Sequence, residues 1–199
     1  MKNSRMLAAL IVLSFAISSC SPYYWKTFGK DKVYKNSSLG YSFNVPAGWM
    51  KSESAKNPLI ISYDGPYLQR ITISVLAPKE KIKFAFTKRT ITENMLPEEL
   101  AEIYEDDLKL NSNFTNYEKV ELLPRTISGI DGFELKFKFK RKETSVDYTG
   151  TFYGFQVGKY SYFIEHTAIS GYYFDTHLKE VEDFVNGFVI DESIFKQTK

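Results

Sequence analysis

The residues that could carry out catalysis are few in this sequence and lie far apart. Its 199 residues include two histidines, His166 and His177, and a single cysteine, Cys20. His166 falls in an alternating stretch typical of a strand, which favours an imidazole in the core or on a sheet surface. His177 lies in a predicted helix beside acidic residues. Neither pattern indicates an acid-base or metal-binding role.

Sequence motifs for catalysis are also missing. The chain has no zinc-binding HExxH, no Gly-x-Ser-x-Gly turn, no complete β-lactamase motif set, no phosphate-binding loop and no calcium-binding loop. Carboxylates that are distant in sequence could still meet in space, so a hydrolase remains the least favoured alternative. We expect a protein that is not an enzyme and that uses no cofactor and no metal.

Cys20 ends a segment with the layout of a secretory signal. Lys2 and Arg5 precede an apolar or small run at residues 6–17, and two serines then lead to the cysteine. A run of about a dozen residues is too short to cross a bilayer, which needs roughly 20 apolar residues. The alternative is an ordinary signal peptide in which a cysteine occupies this position by coincidence.

Residues 17–20, ISSC, resemble the lipobox of bacterial lipoproteins. In that family the cysteine thiol receives a diacylglycerol, cleavage occurs just before it, and the new amino group is usually acylated. The resemblance implies that residues 1–19 are a lipoprotein signal peptide and that lipid on Cys20 holds the mature protein on a membrane of the bacterial cell envelope. Ser21 stands where an aspartate would mark retention in the inner membrane. This favours the outer membrane if two membranes are present.

The charge balance argues against nucleic acid as a partner. The chain has 26 Lys and Arg against 24 Asp and Glu, so subtracting Lys2 and Arg5 leaves 24 against 24 in the mature protein. A polyanion-binding domain would show a clear basic excess. A single cysteine allows no internal disulfide, so stability must come from a core. The remaining chain of about 180 residues is long enough to form that core in one domain.

Residues 20–38 show no sustained hydrophobic period and are predicted to be a lipidated tether. Tyr23, Tyr24 and Trp25 follow the lipid site directly, where amphipathic rings favour the headgroup region of a bilayer. Packing of these rings on the folded domain is the alternative. Residues 39–199 are predicted to form that single domain.

Strand patterns dominate the domain. The clearest is GFELKFKFKRK at 132–142, where apolar and polar residues alternate, so one face is expected to be buried and the other solvated. Turn residues at 64–66 and at 158–159 predict two hairpins. The other strands are predicted at 39–45, 59–63, 70–77, 81–86, 118–123, 149–157 and 160–168.

Two amphipathic helices complete the prediction. Pro97 suits the first turn of a helix that continues to Leu110 with apolar residues at steps of three and four. A second helix is predicted at 174–188. Together the strands and helices indicate an α+β layered domain. The outer face of the first helix is acidic, with Glu98, Glu99, Glu102, Glu105, Asp106 and Asp107.

Residues 40–49, GYSFNVPAGW, resemble the opening strand of the PsbP-like domain, which is shared by the photosystem II protein PsbP, a Ran-binding nuclear-import factor and many exported bacterial proteins. Residues 96–102, LPEELAE, resemble the start of a helix in that family. Residues 184–188 depart from its last motif, since Asn-Gly replaces the serine. The resemblance covers about 39–190 and implies an antiparallel β-sheet with helices packed on both faces, an α/β/α sandwich. Members bind different partners, so no particular partner is implied.

Binding is the function that these patterns favour. Lys136, Lys138 and Lys140 occupy alternate positions on one face of a predicted strand. Together with the acidic helix they give separated charge, which can orient a neutral protein on anionic headgroups or on a charged partner. The alternative is a solvated face that maintains solubility and protects a strand edge.

Aromatic residues raise a second possibility, a tyrosine-lined cleft for a small molecule or glycan. The chain has 14 Tyr and 16 Phe, and alternation assigns most of them, with Trp49, to the core. We predict a membrane-anchored envelope lipoprotein that acts as a non-catalytic binding or accessory protein with an envelope protein as partner; the small-molecule site is the alternative. Six aromatic residues stay open: Phe152, Tyr153, Phe155, Tyr162, Tyr172 and Tyr173.

Overall fold

The computed structural model describes residues 25–53, 57–76, 84 and 86–191, and its largest element is an antiparallel sheet of eight strands. The order in this sheet is β1-β4-β5-β6-β10-β9-β8-β7, and a second sheet has the order β11-β3-β2. The strands are β1 Trp25–Thr27, β2 Val33–Asn36, β3 Tyr41–Asn44, β4 Met50–Ser52, β5 Leu59–Ser62, β6 Gln69–Leu76, β7 Phe114–Ile127, β8 Ile130–Arg141, β9 Asp147–Val157, β10 Tyr160–Ile169 and β11 Val189–Ile190.

Three helices lie within the described residues: α1 Pro97–Leu110, α2 Tyr172–Thr176 and α3 Leu178–Asn186. The predicted bounds of α1 are confirmed. Its first turn is capped because the backbone N–H of Leu96 donates to Oε2 of Glu99 at 2.8 Å. Within the described part of the chain, no helix combines the length and the apolar character needed to cross a bilayer.

The helices pack on both faces of the large sheet. Leu100 and Leu108 of α1 join Leu135 in one buried cluster. On the opposite face, Val181 and Phe184 of α3 join a second cluster that also contains residues of the small sheet. The predicted α+β architecture, with an antiparallel sheet between helices, is therefore confirmed.

The alternation predicted for β8 is also confirmed. Phe133, Leu135, Phe137 and Phe139 are buried toward α1, whereas the lysines between them reach the other face. Glycines on β9 make room for two of these rings. A Cβ on Gly154 would lie 2.5 Å from the ring of Phe133, and one on Gly150 would collide with the ring of Phe137.

The pairing of β5 with β6 and of β9 with β10 confirms both predicted hairpins. The strand predicted at 118–123 extends in both directions as β7, because it pairs along the whole length of β8. Of the strand predicted at 81–86, only Phe84 and Phe86 are described, and neither lies in a strand.

The segment 25–36, which falls in the predicted tether at 20–38, contains two short strands. β1 pairs with β4 through Trp25 and Ser52, and β2 pairs with β3. Strands of three and four residues are too short to show a period, so their partners were not readable from the sequence. Phe28 in the connecting turn packs edge-on against Phe43. Residues 20–24, with Tyr23 and Tyr24, and the predicted signal peptide at 1–19 lie outside the described residues.

The prediction of a single helix at 174–188 is wrong. The chain forms α2 and α3 instead, with His177 between them at φ −106° and ψ 9°, which is not helical. The buried His177 ring contacts Trp49 and Tyr63 of the sheet layer. These tertiary contacts hold the backbone at this point against the helical period of the flanking sequence.

Candidate functional site

The predicted lysine face lies on β8, on the side of the sheet away from α1. Lys136 stands opposite Glu121 of β7, and Lys138 stands opposite Glu118. Lys140 forms an ion pair with Asp147 at 3.4 Å. Each lysine thus has an acidic neighbour, and the face carries mixed charge. Lys136 also lies 5.5 Å from the ring centre of Phe174 in α2.

His166 is a core residue, as its strand pattern predicted. The side chain is fully buried and stacks on Phe174, with 5.0 Å between the ring centres. Neither ring nitrogen has a hydrogen-bond partner among the described residues. Burial, with a smaller contribution from His177, lowers the pKa of His166 to about 3. The ring is therefore neutral near pH 7 and has no group with which to exchange a proton.

His177 connects a turn of the sheet layer to α3. Its Nδ1 lies 2.6 Å from Oε2 of Glu180, and its Nε2 lies 3.3 Å from Oδ2 of Asp64. The contacts fix the imidazole between two carboxylates. In the described part of the chain, no group of three His, Cys, Asp or Glu side chains could hold a metal ion.

Four of the six aromatic residues that the sequence left unassigned are buried in the core. Tyr153 and Tyr162 lie in the core on the α3 side, and their hydroxyls donate to Glu182 and to the Leu39 carbonyl. Tyr172 is 73% exposed. Phe155 belongs to the same core as Tyr153, and Phe152 belongs to the core under α1.

The predicted acidic face of α1 is used mostly for contacts within the protein. Glu105 is buried, contrary to the prediction of an outward position, because Lys109 and Lys119 pair with its two oxygens at 2.7 and 2.9 Å. Asp107 accepts backbone N–H groups from residues 86 and 87. Arg89 pairs with Glu102 and Asp106.

A polar cavity of about 330 Å³ lies where the end of α1 meets the sheet. No sequence pattern indicated it. Arg70 of β6 and Arg141 at the end of β8 come from strands that are separated by two others, so only the sheet order brings them to one cavity. The remaining lining comes from Asn111, Asn113, Phe114 and Glu143.

Arg141 is held in place from two directions. Its guanidinium lies 5.1 Å from the ring centre of Tyr148 and 5.8 Å from that of Tyr67. The two tyrosines are joined, because the Tyr148 hydroxyl donates to the Tyr67 carbonyl at 2.7 Å. Cation–π contacts of this kind leave the N–H groups of arginine free to bind an anion.

Arg70 presents a similar unpaired cation. Its Nε is buried, and among the described residues no group accepts a hydrogen bond from it and no carboxylate forms an ion pair with the side chain. Four arginines lie in the described part of the chain, and the other two behave differently. Arg89 pairs with two carboxylates, and Arg125 pairs with Glu134 and Glu182. The two arginines without carboxylate partners are those that line the cavity.

The guanidinium and amide groups that line the cavity can bind a ligand, but they are poorly suited to proton transfer. A guanidinium remains protonated at all physiological pH values, and an amide does not titrate, so neither acts as a general base. Glu143 is exposed, and among the described lining residues it is the one that carries a carboxylate. The charge and the amide groups of the lining can form hydrogen bonds with a small polar ligand.

Comparison with solved structures identifies the fold. The chain matches the solution structure of cyanobacterial PsbP, CyanoP, from Synechocystis sp. PCC 6803 with a TM-score of 0.56 at 12% identity, covering 88% of this chain and 99% of that one. The fold is PsbP-like. LpqN of Mycobacterium tuberculosis, whose structure is described as that of a protein involved in cell envelope biogenesis, matches with a TM-score of 0.54 at 13% identity, covering 86% and 92%.

A mutant of the protein Mog1 shares the PsbP-like fold, with a TM-score of 0.51 at 10% identity over 88% of this chain and 99% of that one. No family model and no curated protein matches the sequence. At such low identities the likeness shows the fold alone. The fold predicted from residues 40–49 and 96–102 is confirmed.

Proposed function

We propose that this chain is a lipid-anchored accessory protein of the bacterial cell envelope that binds a partner without transforming it. The observation that carries the proposal is the cavity with Arg70 and Arg141, since it offers fixed positive charge and amide groups but few groups that transfer protons. The PsbP-like fold, which LpqN shares, is compatible with such an accessory role.

Anchoring rests on the sequence around Cys20. The short apolar run and the lipobox-like ISSC segment support lipid attachment at that thiol. Two or three acyl chains hold a protein on a bilayer, whereas a single chain gives only reversible binding. The outer membrane is the proposed destination in a cell with two membranes, and an envelope protein is the proposed macromolecular partner.

We propose the cavity, rather than the lysine face of β8, as the main binding site. The carboxylates beside Lys136, Lys138 and Lys140 weaken the field that the lysines alone would produce. Docking of an envelope protein on this face stays a proposal. Co-purification of the lipid-anchored chain from native membranes, followed by washes at rising salt, should release a partner that binds there by charge. A partner lost equally from Lys138→Glu and from wild type would contradict this docking.

Mass spectrometry of the full chain after expression in a bacterium tests the anchor. We expect the mature protein to begin at Cys20 and to carry the mass of a diacylglycerol and a further acyl chain. Cys20→Ser should lose this mass. Ser21→Ala serves as the control and should keep the lipid. A wild-type protein with a bare thiol would overturn the anchored role.

A further inference from the structure

We propose that the cavity between the end of α1 and the large sheet is a site for a small soluble anion, one that carries a carboxylate or a phosphate group. This assignment rests on the proposed binding function and specifies its ligand. Arg70 and Arg141 supply the charge, and the amides of Asn111 and Asn113 offer further hydrogen bonds.

The two guanidiniums are the first argument. They line one cavity and form no ion pair with a carboxylate of the described residues, although the other described arginines, Arg89 and Arg125, are each paired with two. Like charges that face the same space repel each other, and an anion placed between them removes that repulsion. Guanidinium groups also match the oxygen spacing of carboxylate and phosphate and can bind both oxygens at once.

Preorganisation is the second argument. The Arg141 guanidinium lies against Tyr67 and Tyr148, and its backbone is fixed in a turn, where the N–H of Arg141 donates to the Val146 carbonyl at 2.9 Å. The Arg70 backbone pairs with Thr167 inside the sheet, and the Arg70 Nε is buried with no hydrogen-bond partner in the described part of the chain. Because both arginines are already held in place, little conformational entropy is lost when an anion binds. More of the interaction free energy therefore contributes to affinity.

Two features oppose an anion, and the arginines outweigh them. The C-terminal end of α1 lies beside the cavity, since its C-cap residue Asn111 is part of the lining, and a helix C-terminus carries roughly half a negative charge. Glu143 adds one more, but it is exposed and lies on a solvated turn, where screening weakens it. Two full positive charges, one of them with a buried donor atom, therefore leave the cavity positive.

Size limits the ligand to a small solute. A volume of about 330 Å³ is at the lower end of ligand sites, which span roughly 300–1,000 Å³, and suits a molecule of monosaccharide size. Phe114 provides one apolar wall. A carboxylate and a phosphate make the same contacts with arginine, so the experiment has to separate them.

Isothermal titration of the full chain in nonionic detergent tests the assignment with three probes: glucose 6-phosphate, glucuronate and neutral glucose. We expect one or both anions to bind and glucose to bind at least tenfold more weakly. Preference for glucose 6-phosphate identifies a phosphate ligand, and preference for glucuronate identifies a carboxylate ligand. Failure of both anions to bind would overturn the proposal.

Variants locate the binding. Arg70→Met and Arg141→Met should each weaken the preferred anion at least tenfold, whereas Glu143→Gln should tighten it, because a negative charge is removed from the rim. Lys138→Met removes an exposed cation from the same strand as Arg141 and should leave binding unchanged. Equal weakening by Lys138→Met, or no effect of Arg141→Met and Glu143→Gln in a folded protein, would place binding elsewhere and refute the site.

Two results would distinguish failure of the anion site from failure of the proposed function. Release of inorganic phosphate from glucose 6-phosphate, lost in Arg141→Met, would support the anion site and overturn the non-catalytic role. A bare thiol at Cys20 would overturn the anchor and leave the anion site intact.

Discussion

Both ring nitrogens of His166 are buried without a hydrogen-bond partner among the described residues, and this placement opposes protonation of the ring in the folded state. Burial lowers the pKa to about 3, against an ordinary value of 6.5. The folded state therefore binds fewer protons than the unfolded state between these two pH values. Its stability rises with pH in that window and is lost as the pH falls from about 6.5 toward 3.

The corresponding prediction concerns His166→Leu, an apolar replacement of similar size. Between pH 7 and pH 4, titration of His166 should lower the free energy of unfolding of the wild type by about 3 kcal/mol, since each pKa unit corresponds to about 1.4 kcal/mol. The variant should lose that much less over the same range, as measured by urea unfolding at several pH values. Tyr172→Phe, at an exposed position nearby, should follow wild type. Parallel pH profiles for His166→Leu and wild type would show that the histidine is not the acid-sensitive group.

At the scale of elements, β7 is the most informative strand because it forms a long edge of the large sheet. Val120 and Leu123 are 43% exposed there, so the strand could pair with another chain. Two register shifts interrupt its ladder with β8, and Asn116 adopts a positive φ of 54° near the first of them. Pro124 removes one backbone donor. Bulges, proline and charges of this kind protect edge strands from self-association.

The prediction for β7 is that removal of its protection causes self-association. Pro124→Val combined with Glu121→Val restores a donor and removes a charge, so the variant should form dimers or larger species. Light scattering after size exclusion would measure this. Pro124→Lys restores the same donor but adds a charge, and it should keep the mass of wild type. An unchanged mass for the double variant would mean that the two bulges protect the edge by themselves.

At the scale of the whole molecule, one sheet separates two cores. Leu135 faces α1 and Ile71 belongs to the cluster on the α3 side, and both are fully buried. Strands β9 and β10 contribute buried side chains to both clusters. Strand β6 is hydrogen-bonded to β10, and β8 is hydrogen-bonded to β9. Loss of packing on one side therefore disturbs the strands that support the other side. We infer that both cores unfold in a single cooperative step.

Leu135→Ala and Ile71→Ala test this inference. Each should destabilise the protein by about 2–5 kcal/mol, the usual cost of a leucine- or isoleucine-sized cavity. In a Trp25→Phe background, the fluorescence of Trp49 reports on the α3 side. Leu135→Ala should move the fluorescence transition and the far-UV circular dichroism transition together. Separate midpoints would indicate two independent units. Lys138→Ala, on the solvated face, should change stability by less than about 0.5 kcal/mol.

Local patterns predicted the elements well where a period repeats for several residues. The alternation in β8 and the spacing from Pro97 to Leu110 are each long enough to identify one buried face. The same reasoning failed at β1 and β2, which are too short to show a period, and at His177, where contacts with Trp49 and Tyr63 interrupt a helical pattern.

The sequence by itself determined the α+β class, the buried faces of the long elements and the prediction of a lipid anchor at Cys20, because each depends on neighbouring residues. Only the tertiary structure decided which polar groups meet. Lys136, Lys138 and Lys140 formed a basic row in the sequence and acquired acidic neighbours once β7 and β9 were placed beside them. Arg70 and Arg141 gave no sequence signal and came to share a cavity, because the order of strands in a sheet is set by packing over long sequence distances.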